Sequence, residues 1–254
     1  MSSSSDLLLA WRRLLANKVI SAAAILSIAV GSGACIAAFR LVDALLLRPL
    51  PIAAPERLYA LSHHQFEPTS AASRHDNWEY PLFLDMRSAV ARQASLIAIS
   101  DAELVEIAIE GGQEFERGNV QYASGDMFEV FGLRPSAGRL FTRNDDTQAG
   151  AHPVAVISHD YWSRRFAQDH DVIGRTFRIT NNLTGTRVYQ IVGVAPKGFT
   201  GTEPGKVVDI FLPSAMHWAM PFPTWSVFKT FAHLRRDVSA AVVRERLEGT
   251  VRAF

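Results

Sequence analysis

The chain has 254 residues, 20% of them charged, with a net charge of +1 at pH 7. This near-neutral balance lacks the basic field typical of nucleic-acid-binding proteins, so we expect no nucleic acid partner. The single cysteine, Cys35, permits no intrachain disulfide, so a folded domain here must depend on its hydrophobic core.

An uncharged apolar stretch occupies residues 19–39. As an α-helix it would extend about 31 Å, close to the hydrocarbon thickness of a bilayer. We predict a transmembrane helix that continues to residue 47, before Pro49 and Pro51. A cleaved signal peptide stays an alternative, although its apolar region is typically about 7–15 residues. A lipoprotein signal ending at Cys35, or a buried core helix, would also account for an apolar stretch at this position.

Residues 1–18 are predicted to form a cytoplasmic tail that contains an amphipathic helix at the membrane interface. Its apolar face comprises Leu7, Leu8, Trp11, Leu14 and Leu15. Arg12, Arg13 and Lys18 precede the span and favour a cytoplasmic N-terminus, so the helix would also contact membrane lipid.

Small residues recur at intervals of four within the apolar stretch. Ala29, Gly33 and Ala37 would share one face of the helix, where a second membrane helix could approach closely. We therefore predict a helix-packing face at these three positions. The alternative is that they only dilute the apolar character of the span.

Residues 48–254 are predicted to form one folded α+β domain. Helical spacing or N-cap signals predict helices at 81–90, 124–132, 159–167 and 239–251, with Ser124, Ser158 and Ser239 as N-caps. Residues 63–77 are predicted to be a polar loop. Strand-like runs occur at 56–62, 95–100, 104–110, 115–122, 153–157, 175–180, 187–195, 208–212 and 225–234. Because strands and helices do not alternate regularly, the pattern favours α+β over a doubly wound sheet.

Five sequence blocks resemble one protein family. LLLRPLPIAAPERLYALS (45–62) resembles the junction after the first membrane helix of MacB-type ABC transporter permeases, which carry an FtsX-like membrane domain. Residues 133–146, 152–179 and 188–202 resemble successive blocks of the MacB-like periplasmic core domain, and VVDIFLP (207–213) is similar to the strand that follows. The blocks occur in the expected order over most of the chain.

The resemblance implies a location and a set of partners. The N-terminus would be cytoplasmic, and residues 48–254 would form a periplasmic core domain outside the bacterial inner membrane. An ABC ATPase subunit would drive motion that the permease passes to this domain during export or efflux. Family members carry further membrane helices, whereas residues 48–254 contain no second apolar stretch of sufficient length. We therefore expect further permease helices or a second permease chain as partners.

Motifs for other chemistry are absent or weak in the sequence. There is no phosphate-binding loop of the Gly-x-x-x-x-Gly-Lys-Ser/Thr form and no Gly-x-Ser-x-Gly, so we expect neither an ATPase nor a serine hydrolase. The adjacent Ser158, His159 and Asp160 cannot converge on a substrate as a triad. The His63-His64 and His75-Asp76 pairs match no metal-site spacing. We predict no catalytic residue, cofactor or metal.

Aromatic and methionine side chains are concentrated near residue 220. Met216, Trp218, Phe222 and Trp225 form a candidate partner surface, because such residues are enriched at interfaces. The alternative is that they pack onto their own domain. For the whole chain, the main hypothesis is a non-catalytic, partial permease component, and the alternative is a membrane-tethered binding or assembly module without transport activity.

Overall fold

The computed structural model describes residues 18–42, 51–65, 73–109, 115–181 and 185–254. The chain divides into two compact units, Met1–Pro49 and Leu50–Phe254. The boundary lies two positions beyond the one predicted between residues 47 and 48. The predicted interfacial helix and the helical extension at 43–47 lie outside the described residues.

The first unit contains helix α1, Lys18–Val42. Ser21–Arg40 within it has a mean hydropathy of 2.1 and is long and apolar enough to cross a membrane. The hydroxyls of Ser27 and Ser32 donate to the carbonyls of Ala23 and Ile28, at 2.9 and 2.7 Å. These bonds satisfy the two hydroxyls within the helix itself, as a nonpolar environment requires.

The second unit mixes helices and strands, which confirms the predicted α+β class. Its helices are α2 (Tyr80–Ala89), α3 (Met127–Val130), α4 (His159–Phe166) and α5 (Ala240–Ala253). Its strands are β1 (Leu58–Ala60), β2 (His63–Gln65), β3 (Ser73–His75), β4 (Asn77–Glu79), β5 (Ala94–Ser100), β6 (Glu103–Ile109), β7 (Phe115–Ala123), β8 (Ala137–Gly138), β9 (Val154–Ile157), β10 (Thr176–Asn181), β11 (Gly185–Val194), β12 (Ile210–Pro213) and β13 (Ser226–Leu234).

Six strands of the main sheet close into a barrel in the order β6-β7-β12-β9-β11-β10, and β10 pairs back onto β6. The β7–β12 and β9–β11 pairings are parallel and the other four are antiparallel. Alternate residues point inward, as the twofold periodicity of strands requires. The inward side chains fill the interior; they include Ile107, Val120, Phe177, Tyr189, Ile191, Ile157 and Ile210.

Both ends of the barrel are covered. Helix α4 covers one end with Tyr161, Trp162 and Phe166, and Ser158 Oγ caps it by accepting a hydrogen bond from the Tyr161 amide. The segment that follows β12 covers the other end. This second cover is the part of the fold that positions the candidate site.

A smaller sheet extends from the side of the barrel. β5 joins β7 through the pair Ile99↔Ala123, and β13 lies on the far side of β5. β1 and β4 pair with successive parts of β13. Helices α2 and α5 cover this sheet with Phe83, Met86, Val243 and Leu247, among others.

A second hydrophobic core lies outside the barrel wall. Val156 and Phe211 point away from the barrel interior and pack with four phenylalanines from α3 and the loops, Phe128, Phe131, Phe141 and Phe199. The rings of Phe128 and Phe141 meet edge to face with centroids 4.8 Å apart. Strands β9 and β12 are therefore buried on both faces, which explains their continuous apolar sequences.

Two local predictions were wrong. The polar loop expected at 63–77 instead includes the short strands β2 and β3, and the first residue of β4. Ser124 does not cap α3, because that helix begins at Met127 with no side-chain cap bond. The Ser124 hydroxyl instead accepts a hydrogen bond from the Ala98 amide at 3.1 Å and helps to join β5 to the barrel.

Candidate partner surface

The segment from residue 214 to 225 is anchored at its start by a partly buried carboxylate, that of Asp146. Asp146 Oδ1 accepts from the Ala215 amide at 2.6 Å, and Oδ2 accepts from Ser214 Oγ at 2.8 Å and from the Gly125 amide at 2.9 Å. Burial raises the pKa of Asp146 above its ordinary value, although these three bonds favour the charged form. The Asp146 side chain thus joins its own loop to the loop at Gly125 and to the start of the segment at Ser214 and Ala215.

Met216 points into the protein. Its side chain is 2% exposed and lies at the barrel end with Tyr122 and Tyr189. Its carbonyl accepts a hydrogen bond from Arg187 Nη1 at 3.2 Å. Including Met216 in the partner surface was therefore wrong, because burying this apolar side chain against the barrel removes it from solvent.

His217 is buried as well, with 1% of its surface exposed. The Ala219 amide donates to His217 Nδ1 at 3.0 Å, so the proton of the neutral ring lies on Nε2. Nε2 faces Glu103 Oε1 at 3.6 Å. The ring also meets Tyr122 edge to face, with centroids 4.6 Å apart. His217 therefore packs the segment against the barrel.

Trp218 is held by a carboxylate of β6. Its indole Nε1 donates to Glu103 Oε1 at 3.0 Å and to Oε2 at 3.1 Å. Burial alone would raise the pKa of Glu103, but the His217 ring that faces it and the hydrogen bonds from Trp218 outweigh burial and hold that pKa below its usual range. The carboxylate is charged at neutral pH, and it fixes the orientation of the indole.

Tight turns carry the remaining aromatic residues to the surface. The Met220, Phe222 and Trp225 amides donate to carbonyls three residues earlier, at 3.1, 2.8 and 3.0 Å. The rings of Phe222 and Trp225 stack with centroids 4.7 Å apart, and Trp218 meets Trp225 edge to face at 5.5 Å. Phe222 is 38% exposed and Trp225 44%. We call Trp218, Phe222 and Trp225 the aromatic ledge.

The sequence interpretation missed Glu103, which bonds Trp218, and Tyr80, which lines a small cavity together with Phe222 and Trp225. Nothing in the local pattern links residues so far apart. The interpretation also missed the role of Asp146, which ends the 3₁₀ turn Arg143–Asp146 while its carboxylate anchors the segment after β12. A single acidic residue is too common in a sequence to indicate such a role.

The other sequence candidates do not form a second site within the described part of the chain. No group of three or more His, Cys, Asp or Glu side chains there could hold a metal ion. The His63 ring stacks on His75 at 5.8 Å and lies 4.5 Å from Trp78. Ala29, Gly33 and Ala37 are exposed residues of α1, and a Cβ built on Gly33 would meet no atom within 4 Å.

Two solved structures share this fold. The periplasmic region of MacB from Actinobacillus actinomycetemcomitans is 15% identical, with a TM-score of 0.54 over 80% of this chain and 85% of that one. A domain of a Porphyromonas gingivalis protein assigned as a permease is 16% identical, with a TM-score of 0.56 over 78% and 81%. No curated protein matches the sequence.

The sequence matches the MacB-like periplasmic core domain family over residues 21–250, which is most of the chain. The match confirms the resemblance noted in the five sequence blocks. With the N-terminal apolar helix, it indicates a membrane-anchored extracytoplasmic domain and a transporter component. The chain belongs to the MacB-like periplasmic core domain family of ABC transporter permeases.

Proposed function

We propose that the chain is a non-catalytic permease component that passes motion driven by a separate ABC ATPase to its extracytoplasmic domain, for export or efflux. The observation that carries the proposal is the family match, which begins within the apolar helix and runs through the folded unit. The chain would lie in the bacterial inner membrane with its N-terminus in the cytoplasm. Its core domain, residues 48–254, would be periplasmic.

The proposal assigns two contact regions. Further permease helices, or a second permease chain, would pack on Ala29, Gly33 and Ala37, since small residues allow helix backbones to approach in lipid. The aromatic ledge would contact a partner outside the membrane. The sequence has no phosphate-binding loop, so nucleotide hydrolysis is assigned to the ATPase subunit.

Co-purification tests the proposed partnership. The full chain is expressed with an ABC ATPase encoded beside it, with and without the neighbouring permease helices. We expect the ATPase to co-purify when those helices are supplied and not otherwise, because in this family a cytoplasmic loop between membrane helices meets the ATPase. Co-purification with this chain alone would contradict the proposed division of roles.

Cysteine labelling tests the topology. In a Cys35→Ala background, Thr224→Cys is a suitable outer probe because Thr224 is exposed beside the ledge, whereas Ser214 is fully buried. A membrane-impermeant maleimide should label Thr224→Cys in cells with a permeabilised outer membrane, and should label Ser2→Cys only after lysis. Labelling of Ser2→Cys before lysis would reverse the orientation.

A further inference from the structure

A small apolar cavity opens beside the aromatic ledge. Its volume is about 60 Å³, and its lining includes Tyr80, Pro81, Met220, Phe222, Trp225 and Val227. No charged side chain lines it. The turn hydrogen bonds of the segment and the ring stack of Phe222 on Trp225 hold its outer wall in place. The walls of the cavity are therefore held by contacts within the segment itself.

The size of the cavity selects the kind of occupant. Pockets for small molecules usually measure roughly 300–1,000 Å³, several times this volume. A space of about 60 Å³ instead suits the end of one apolar side chain. Protein interfaces commonly place such an anchor residue in a preformed pocket lined by aromatic rings. The volume thus favours a polypeptide over a drug-sized molecule.

The charged residues beside the ledge indicate which kind of polypeptide would bind there. Glu103 is bonded to Trp218, and its side chain is 32% exposed. Glu79 directly precedes Tyr80 and pairs across the sheet with Ser226, the residue after Trp225. Two partly exposed acidic residues therefore lie next to residues of the ledge and of the cavity lining: Glu103 beside Trp218, and Glu79 beside Tyr80. Complementary charge on a partner would come from lysine or arginine.

We infer that the ledge and its cavity dock a segment of a partner protein that inserts the end of one large apolar side chain and carries basic residues on both sides of it. Trp225 and Phe222 cover the anchor, and Glu79 and Glu103 face the flanking basic residues. The inference rests on the proposed function in placing the ledge where an extracytoplasmic partner can reach it. Its test requires no ATPase, so the two proposals can fail separately.

Selection from a random peptide library tests the inference. The library is displayed on phage and panned against the full chain in detergent micelles. We expect the selected peptides to share one large apolar residue flanked by Lys or Arg. Trp225→Ala should weaken their binding by about 30-fold, the loss typical of an interface hot spot. Glu79→Gln should weaken it by about threefold at low salt, as an exposed ion pair would.

Controls separate loss of binding from loss of folding. Phe115→Ser removes another exposed aromatic ring, 68% exposed at the opposite end of the barrel, and should leave binding unchanged. Phe222→Ser is a second ledge variant in case Trp225→Ala does not fold, and it should also weaken binding. Thermal unfolding of each variant establishes which variants are folded.

Four outcomes would overturn the inference. The library yields no peptide whose binding depends on the ledge. The selected peptides are acidic or lack an apolar anchor. The folded ledge variants bind the peptides as well as the wild type does. Finally, the small apolar dye N-phenyl-1-naphthylamine binds the wild type but not the ledge variants, which would assign the cavity to a small molecule.

Discussion

Gly193→Ala should destabilise the folded unit strongly, because β11 contacts the chain around Arg139 through backbone at this position. Gly193 pairs with Gly138 where β11 shifts register against β9. A Cβ at residue 193 would lie 2.7 Å from the Arg139 carbonyl carbon, 2.9 Å from its amide nitrogen and closer still to its oxygen. Carbon atoms in contact normally lie about 3.5–4.0 Å apart. One backbone segment must therefore move by about 1 Å.

The cost of this movement has two parts. Overpacking of this kind costs roughly 1–3 kcal/mol. The Arg139 and Ser136 amides donate to the carbonyls of Val192 and Val194, both at 2.9 Å, and displacement would weaken these bonds at about 0.5–1.5 kcal/mol each. The sum is about 2–6 kcal/mol. For a domain of this size that corresponds to a decrease in Tm of roughly 4–24 °C.

Thermal unfolding of the full chain in detergent, followed by near-UV circular dichroism, measures the change. Gly249→Ala is the matched control, since Gly249 lies within α5 and a Cβ there meets no atom within 4 Å. The same substitution in a helix interior should stabilise by up to about 1 kcal/mol. Equal Tm values for Gly193→Ala and the wild type would refute the argument from the close backbone approach.

Three further predictions concern other parts of the chain. Asp146→Ala should lower the unfolding free energy, measured by urea titration, by about 3–5 kcal/mol, because three hydrogen-bond donors lose their acceptor. A loss below about 1 kcal/mol would contradict the anchoring role of Asp146. The pKa of Glu103 lies below 4.5, the ordinary value for a glutamate, so its charged carboxylate stabilises the fold above pH 4.5 and this stability is lost as the pH falls through the lowered pKa. Glu103→Gln should therefore lose less unfolding free energy on acidification than the wild type does. Equal losses in the two proteins would contradict this. Gly33→Leu should weaken association with permease helices about tenfold in a membrane two-hybrid assay, because the larger side chain keeps the helix backbones apart. Gly31→Leu, on another face of the helix, should not weaken it. Equal effects of the two substitutions would argue against the predicted packing face.

Elements with a strong periodic pattern could be predicted from the sequence. The spacing of Leu82, Phe83 and Met86 indicates α2 to within one residue at each end, and Ser158 caps α4 as predicted. The short strands β2, β3 and β4 could not be predicted in the same way. Each has three residues, too few for alternation to show, and β4 depends on pairing with β13, about 150 positions later.

Closure of the barrel could not be predicted, because it depends on pairings between distant strands. β12 lies beside β7 in parallel, with Ile210 opposite Val120. Local sequence specifies that each strand has an apolar face, but not which strand lies beside it. The outer faces of β9 and β12 are also apolar, because Val156 and Phe211 pack into the second core. A continuous apolar run therefore indicates that a strand is buried on both faces, but it does not indicate which strands lie beside it.

The candidate partner surface, like the barrel, could be predicted only in part from local sequence. Residues 216–225 have neither a helical nor a strand period, so their composition indicates an aromatic cluster but not which members face solvent. Groups distant in sequence decide this. Asp146, 69 positions before Ala215, holds the start of the segment against the barrel and buries Met216. Glu103, 115 positions before Trp218, fixes the indole against which Trp225 packs. A loop held at these two points by buried or partly buried carboxylates can keep Phe222 and Trp225 exposed, because neither ring is needed to fasten it.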